Sequence, residues 1–416
     1  MKHIVVIGGG VVGVTTAWAL AEDGHQVTLV EREAGVGMGA SFANGAQLSY
    51  RYVSPLADEG VPLKGLRWLF DPDGPLRFKP ELSWNQWSWM ASFLHKCRGP
   101  VNRRATARLL ALGEYSRAAF AQLKLSTPLD DIAWRAPGKL VAYRNPAEFG
   151  RVAARLRQQP SAIERPLTHA ECVALEPALA HSEARFAGGI FTEGEAVADC
   201  YQVCVQLTER LKRHGNFRGL VQAEAQGFRT QSGQAVALQT SAGEIEADDF
   251  VIAAGVQSRA LAKTAGIALP IYPLKGYSLT APIGPEHKPP VVSVTDFEKK
   301  IVYAQVGSHL RVAAMVDLVG EDASLNPTRI ASLQRSVRAT FPKAADYAAA
   351  APWAGLRPAT PSGTPILGAS PVRNLWLNVG HGALGFTFSF GTANVLTALI
   401  AGRASPIALD GLQLKA

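Results

Sequence analysis

A segment near the start of the chain, residues 4–31, constrains the fold more than any other. It reads IVVIGGGVVGVTTAWALAEDGHQVTLVE, which is an apolar strand, a glycine-rich turn, an apolar helix and a second strand that ends on Glu31. Gly8 permits the sharp turn, Gly10 lets a pyrophosphate approach the backbone, and Gly13 lets the helix lie close to the sheet. The helix N-terminus offers free N–H groups to phosphate, and Glu31 lies where a carboxylate binds ribose hydroxyls. The segment therefore predicts a βαβ unit that binds a dinucleotide.

Size and charge limit the class of protein. The 416 residues are 47% hydrophobic, which is enough for two domains, and the net charge of +8 is spread along the chain. No basic run is interleaved with aromatic residues, so we expect no nucleic-acid partner. A positive surface favours anionic substrates or an anionic membrane surface.

The cysteines and the hydropathy indicate the compartment. Cys97, Cys172, Cys200 and Cys204 form neither a CxxC motif nor a disulfide framework, which is typical of a reducing compartment, and no metal ligand set is expected. No run of 18 apolar residues occurs, so no transmembrane helix is predicted. We expect a cytoplasmic protein.

The rest of the chain alternates between two patterns. An amphipathic helix is predicted at residues 105–125, and Asp199 is a good N-cap for a helix followed by a strand that carries Val221. A buried strand ends at Gly255, and another ends in the turn Gly380-His381-Gly382. Glycine-ended strands that each precede a helix predict one doubly wound sheet built from distant segments. Residues 270–315 alternate apolar and polar residues, which predicts an antiparallel sheet.

Six motifs together resemble one known family. IGGGVVGVTTAWALAEDGHQVTLVE, ASFANGAQLS, VIAAG, YPLKGYSL, GLRP with PSGTPILG, and NVGHGALGFTFSFGTA are similar to segments of the FAD-dependent D-amino-acid dehydrogenase small-subunit family, which is related to D-amino-acid oxidase and glycine oxidase. The resemblance covers nearly the whole chain. It implies an α/β, Rossmann-like FAD-binding domain of discontinuous segments (residues 1–54, 170–260 and 345–416). A substrate domain with an antiparallel β-sheet would comprise residues 55–169 and 261–344.

The resemblance also implies the reaction. D-amino acids would be converted to 2-oxo acids and ammonia by hydride transfer from the α-carbon to flavin, and a quinone or other carrier would receive the electrons. Such chemistry needs orientation more than a strong base. An oxidase that uses oxygen is the alternative within the same fold. A non-catalytic FAD subunit is a third possibility, and the apparently complete site argues against it.

The implied FAD contacts lie in short segments spread along the chain. The glycine-rich turn and second strand would hold the diphosphate and ribose, and the next loop would line the flavin. Val221 would contribute backbone on the adenine side, and the C-terminal turn would provide a second helix N-terminus. These residues are Gly8, Gly10, Val11, Val12, Gly13, Glu31, Arg32, Ser41, Gly45, Ala46, Gln47, Val221, Gly255, Gly380, His381, Gly382, Gly385, Phe386 and Thr387.

Arg357 is the candidate that we expect to bind the substrate. A planar guanidinium recognises a carboxylate with two parallel hydrogen bonds, although an arginine in a glycine- and proline-rich loop can also be solvated. Tyr52, Tyr277 and Tyr303 are candidates for closing the pocket, or are packed aromatic residues. His381 either acts as a catalytic base or orients the flavin.

Two segments leave alternatives open. Tyr50 and Arg51 replace the proline and glycine that are usual for the family, so a cyclic substrate such as D-proline or 4-hydroxy-D-proline is an alternative to a broad range of D-amino acids. Residues 61–94 combine several tryptophans with lysine and arginine. This segment lies in the bilayer interface on the inner face of the cell membrane, or it packs the substrate domain's own core.

Overall fold

The computed structural model describes residues 1–69, 71, 74–158 and 163–414, except the side chains of residues 64, 66, 67 and 69. The helices of these residues are α1 (Val11–Glu22), α2 (Val61–Leu69), α3 (Trp84–Lys96), α4 (Gly99–Ser126), α5 (Pro146–Gln158), α6 (His169–Leu175), α7 (Cys200–Leu211), α8 (Ser258–Thr264), α9 (Pro327–Thr340) and α10 (Gly385–Ile400). The strands are β1 (His3–Ile7), β2 (Gln26–Glu31), β3 (Gln47–Leu48), β4 (Leu76–Phe78), β5 (Lys139–Tyr143), β6 (Glu164–Thr168), β7 (Gly188–Thr192), β8 (Ala196–Val197), β9 (Phe217–Gln222), β10 (Ala225–Gln231), β11 (Gln234–Thr240), β12 (Gly243–Glu246), β13 (Asp249–Ile252), β14 (Tyr272–Pro282), β15 (Ser293–Asp296), β16 (Ile301–Val306), β17 (His309–Leu318), β18 (Ala351–Ala359), β19 (Ile366–Ala369) and β20 (Leu375–Val379).

The first sheet has the strand order β19-β20-β13-β1-β2-β9, and it confirms the predicted Rossmann-like unit. Its neighbours are parallel except for β19 and β20. Ile4 of β1 lies opposite Val27 of β2 and Asp249 of β13, so the central strand pairs with strands far apart in the chain. Helices α7 and α10 both contact α1. Because central strands are covered on both faces, they are apolar throughout, and residues 4–6 are fully buried.

The second sheet has the order β18-β14-β17-β16-β15-β5-β7-β6, and β4 pairs with β17. The predicted antiparallel region at residues 270–315 is its centre. The whole sheet is larger and mixed, because β15 pairs with β5 in parallel and β17 pairs with β4 in parallel.

Two strands lie outside the domains to which we assigned their residues. β7 and β18 fall within the predicted FAD-binding segments, yet β7 pairs with β5 and β6, and β18 pairs with β14 over nine residue positions in the second sheet. Strand pairing is decided by tertiary contacts between distant segments, so sequence order alone did not indicate it.

The helix predicted at residues 105–125 begins earlier, at Gly99, and belongs to the FAD-binding side rather than to the substrate domain. Ser116 Oγ donates to the Thr387 carbonyl oxygen at 2.7 Å and accepts from Gly391 N at 3.0 Å, and the Phe120 ring stacks on Phe390 at 4.3 Å. Helix α4 therefore packs against α10 and is hydrogen-bonded to its backbone.

One helical segment of the described residues, Gly382–Ile400, is long and apolar enough to cross a membrane, which the sequence pattern did not predict. Its most apolar window is 67% buried, and α10 contacts both α1 and α4. Such burial against neighbouring helices is that of a core helix.

Candidate functional site

A cavity of about 1670 Å³ lies between the two sheets. Of the residues predicted to bind cofactor or substrate, Gly13, Val221 and Tyr303 do not line it, and all of the others do. The structure therefore brings together segments that are hundreds of residues apart in the chain.

The glycine-rich turn forms one end of the cavity. Gly8 has φ of +110°, and a Cβ there would approach the Ala253 carbonyl oxygen to 2.6 Å. A Cβ on Gly13 would overlap the Gly8 carbonyl oxygen, so Gly13 serves helix–sheet packing rather than direct contact. A Cβ on Gly10 would meet only Ser41 Oγ, at 3.6 Å, and would project into the cavity. These three environments match the roles of the three glycines in a diphosphate-binding turn.

Helix α1 begins at this turn with Gly10 as an N-cap that has no side-chain hydrogen bond. Its first-turn N–H groups are therefore available to an anion, apart from Val11 N, which donates to Ser41 Oγ at 3.0 Å. The carboxylate of Glu31 accepts hydrogen bonds from Gly9 N at 2.6 Å and Glu33 N at 2.9 Å. These bonds hold Glu31 at the cavity wall, where a ribose would lie beside the turn.

Val221 was expected to contribute backbone on the adenine side, but it does not line the cavity, and its side chain packs with the apolar core beneath the sheet. Residues 223–226 line the cavity instead, directly after β9 ends at Gln222. Ligands of open α/β sheets bind outside the carboxyl ends of the strands, so the residues after the strand are the ones that face the cavity.

The C-terminal glycine turn provides a second helix N-terminus at the same cavity. Gly380 and Gly382 have φ of +77° and +56°, and α10 begins at Gly385 with no side-chain cap. Between the two glycines, His381 is 3% exposed, and its Nε2 lies 3.2 Å from Thr392 Oγ1. Burial lowers the pKa of His381 to about 3, so the ring is neutral at physiological pH. A ring with this pKa is a poor general base near pH 7, which favours the orienting role.

Arg357 lies on β18, not in the loop that its glycine and proline neighbours predicted. The strand is at the edge of the sheet, where proline is tolerated because one side of the backbone needs no ladder hydrogen bonds. Arg357 Nη1 donates to the Met315 carbonyl oxygen at 2.8 Å, and the guanidinium lies over Gly276 where a Cβ would overlap it. Burial lowers the pKa of Arg357 to about 10, partly offset by Asp317, so the side chain stays charged at neutral pH.

The three tyrosine candidates have different surroundings. Tyr52 lines the cavity with its ring 4.4 Å from Lys139 Nζ, and Tyr277 also lines it, although its hydroxyl donates to Asp317 at 2.9 Å. The prediction that Tyr303 closes the pocket was wrong, because this residue is fully buried in the core on the other face of the sheet. Its neighbour Val302 lines the cavity, since successive residues of a strand point to opposite faces.

The two residues that depart from the family pattern do not line the cavity. Tyr50 is 4% exposed and packs in the core with α4, while the backbone N–H groups of Tyr50 and Arg51 both donate to the Glu195 carboxylate. The argument for a cyclic substrate from Tyr50 and Arg51 therefore has no support in the structure.

Lys139 is a cavity residue that the sequence analysis missed. It is 2% exposed, and its Nζ donates to Gln47 Oε1 at 2.8 Å and to Ser49 Oγ at 2.7 Å. Burial lowers the pKa of Lys139 to about 8, and the nearby Glu195 opposes this shift. The single lysine at the start of the otherwise apolar strand KLVAY was the signal that could have identified it.

Within the described part of the chain, no group of three or more histidine, cysteine, aspartate or glutamate residues could hold a metal ion. The arrangement can bind a dinucleotide along two helix N-termini and hold a small carboxylate at the half-buried Arg357 in the same cavity.

Comparisons with known proteins agree with this geometry. The model of the FAD-dependent oxidoreductase family matches residues 3–399. D-amino acid dehydrogenase 2 of Pseudomonas aeruginosa is 49% identical over 412 residues, which cover 99% of this chain and 98% of that protein. D-amino acid dehydrogenase 2 of Ralstonia nicotianae is 46% identical over 416 residues, covering 98% of each.

Solved structures show a similar fold at lower identity. Glycine oxidase from Geobacillus kaustophilus has a TM-score of 0.76 at 20% identity, covering 100% of this chain and 99% of that one. L-proline dehydrogenase from P. horikoshii has a TM-score of 0.75 at 16% identity, covering 99% and 96%.

Proposed function

The chain belongs to the FAD-dependent oxidoreductase family, and from this premise we propose that it is a D-amino acid dehydrogenase. It converts D-amino acids to 2-oxo acids and ammonia, uses FAD as its cofactor, and passes the electrons to an acceptor that we take to be a quinone. The observation that carries the proposal is the half-buried, charged Arg357 in the same cavity as the dinucleotide-binding turn.

The residues of the cavity fit FAD. The N–H groups at the start of α1 would hold the diphosphate beside Gly10, and Glu31 would bind the ribose. The uncapped start of α10 would lie against the flavin, where its N–H groups favour negative charge. Bound FAD supplies the acceptor for the hydride of the substrate.

Arg357 would hold the substrate carboxylate with two charge-assisted hydrogen bonds. This contact orients the α-carbon, and the rings of Tyr52 and Tyr277 would exclude water from it. The substrate loses the hydrogen on its α-carbon with an electron pair and one amine proton, and the imino acid is then hydrolysed by water. No side chain of high basicity is required if the amine enters neutral.

Anaerobic flavin reduction tests this function. Purified protein is mixed with a panel of D-amino acids and with their L-enantiomers, and bleaching of the oxidised flavin is followed. We expect bleaching by D-amino acids only. Reoxidation is then compared between air and a quinone analogue, and fast reoxidation by the quinone with slow reoxidation by air is expected. Bleaching by L-amino acids alone would contradict the proposal.

We also propose that the protein associates peripherally with the inner face of the cell membrane. Trp89 is buried, but Trp84 and Trp87 are 86% and 47% exposed, and the adjacent Leu82 is fully exposed. The exposed Lys79 lies beside this surface. Exposed tryptophan and leucine beside cations suit the headgroup region of an anionic bilayer.

Co-sedimentation with anionic liposomes at low salt tests the membrane contact. We expect binding by the unmodified protein and loss of binding in the double variant Leu82→Ser with Trp84→Ser. Leu125→Ser is the matched control, because Leu125 is 79% exposed on α4. Equal binding by both variants, or no binding by the unmodified protein, would contradict membrane association.

A further inference from the structure

The cavity extends past the predicted cofactor and substrate residues into a lobe formed by α2, β4 and α3. Val61, Gly65 and Trp68 line it from α2, at the i, i+4 and i+7 spacing of one helix face. From α3, Trp89, Met90 and Phe93 also line it. We name this part the apolar lobe, and we propose that it binds the electron acceptor, a lipophilic quinone. This inference rests on the proposed dehydrogenase function.

The cavity is larger than a pocket for one drug-sized ligand. A pocket for one drug-sized ligand has a volume of about 300–1000 Å³, whereas this cavity has about 1670 Å³. The glycine-rich turns and Arg357 lie in the part built by the first sheet and by strands β14, β17 and β18 of the second sheet. The apolar lobe is additional to that part and shares the same continuous space.

The chemistry of the lobe favours an apolar ligand. The polar groups that hold α3 in place already have protein partners: Trp89 Nε1 donates to the Ala359 carbonyl oxygen at 2.9 Å, and Gln86 Nε2 donates to Tyr272 Oη at 2.8 Å. Tyr272 Oη in turn accepts from Gly320 N at 2.9 Å. The described residues of α2, β4 and α3 that line the lobe present mostly aliphatic, aromatic and thioether surface, which binds a hydrocarbon better than it binds a zwitterion.

The lobe is connected to the exposed apolar surface of the same helix. Leu94 lines the lobe and is also 50% exposed, so it lies at the mouth. Trp84 and Trp87 are on the outer side of α3, and Leu63 is 75% exposed on α2. A lipophilic molecule dissolved in the bilayer would therefore meet an apolar path from the membrane-facing surface to the cofactor cavity.

A quinone satisfies the electron balance of the reaction. Oxidation of the amino acid to the imino acid removes two electrons and two protons from the carbon–nitrogen bond. A quinone takes up two electrons and two protons to become the quinol, so one quinone is consumed for each amino acid and no further reactant is needed.

The test separates the two half-reactions of the FAD-loaded enzyme. In Met90→Trp the larger ring fills the lobe, and Leu325→Trp on the surface is the matched control, since Leu325 is 46% exposed. We expect reoxidation of the reduced enzyme by decylubiquinone to slow at least about tenfold in Met90→Trp. Bleaching by the D-amino acid and reoxidation by ferricyanide should match the control.

A second measurement covers the case in which Met90→Trp folds poorly. With the unmodified enzyme and with Phe93→Leu, reoxidation is compared between decylubiquinone and the same quinone without its alkyl tail. We expect a preference for the alkylated quinone that is smaller in Phe93→Leu. No preference in the unmodified enzyme would overturn the proposal.

Other outcomes assign the lobe differently. If Met90→Trp weakens binding of the D-amino acid and leaves the rate of reoxidation by the quinone unchanged, the lobe holds the substrate side chain and the proposal is wrong. If no D-amino acid bleaches the unmodified enzyme, the proposed function itself fails, and this is visible before any quinone is added.

Discussion

Arg357 Nη1 donates a hydrogen bond of 2.8 Å to the main-chain carbonyl oxygen of Met315. Met315 has φ of +68°, and the pairing of β14 with β17 shifts register beside it, between Lys275 and Tyr277. A bulge of this kind redirects the backbone, here toward the guanidinium. Within the described residues the other N–H groups of Arg357 have no protein partner. The hydrogen bond to Met315 therefore holds the guanidinium in place through Nη1, and the remaining N–H groups are available to a carboxylate.

The first prediction concerns Arg357→Lys. Lysine keeps the charge but loses the two-pronged geometry, so substrate binding should weaken by about 1.5–3 kcal/mol while FAD binding is retained. Titration of flavin bleaching with a D-amino acid measures the apparent affinity. Arg103→Lys, at an exposed site on α4, is the control. An unchanged affinity would show that Arg357 does not hold the carboxylate.

The second prediction concerns Gly276→Ala. The added Cβ would overlap the guanidinium of Arg357, which is the movable end of a long side chain, so the arginine shifts and the fold persists. Substrate affinity should fall by about 1–3 kcal/mol, and the thermal unfolding temperature should stay near that of the unmodified protein. In the control Gly227→Ala, the new methyl group makes only ordinary contacts, the nearest at 3.4 Å. Normal substrate affinity in Gly276→Ala would mean that substrate binding does not depend on the guanidinium of Arg357 lying over Gly276.

The third prediction separates two glycines of the turn. Gly10→Ala adds a methyl group that faces the cavity, so the protein should fold with little bound flavin. Gly13→Ala forces a clash with backbone, so it should lose both flavin and about 1–3 kcal/mol of stability. Flavin absorbance per chain and thermal unfolding measure the two effects, and Gly35→Ala in open space is the control. Full flavin content in Gly10→Ala would contradict the diphosphate site.

The fourth prediction is a pH dependence of stability. Burial lowers the pKa of Lys139 from 10.5 to about 8, so between these values the unfolded chain binds more protons than the folded one. The free energy of unfolding should therefore receive a contribution from Lys139 that rises with pH across this window, on the order of 3 kcal/mol when complete. Urea unfolding from pH 7.5 to 10 with excess FAD measures it, and Lys139→Met should rise less steeply. Parallel profiles for both proteins would refute the prediction.

Local features of the sequence determined much of the fold and many of the residues that line the cavity. The turn after β1, the N-cap Asp199 of α7, whose carboxylate accepts from Gln202 N at 3.1 Å, and the glycine turn before α10 were all predicted. Each depends on a few neighbouring residues, because a tight turn or a cap is decided by backbone geometry within one turn of chain.

Tertiary structure alone decided which segments meet. Lys139 contacts Gln47 across 92 positions of sequence. Arg357 reaches Met315 across the intervening strand β14, since its guanidinium lies over Gly276 of that strand. Likewise Tyr303 faces the core while Val302 faces the cavity, since strand pairing sets which of two alternating faces each side chain takes. Local pattern specifies the conformation of a segment, but the partner of a strand and the face it presents depend on the free energy of burying distant segments together.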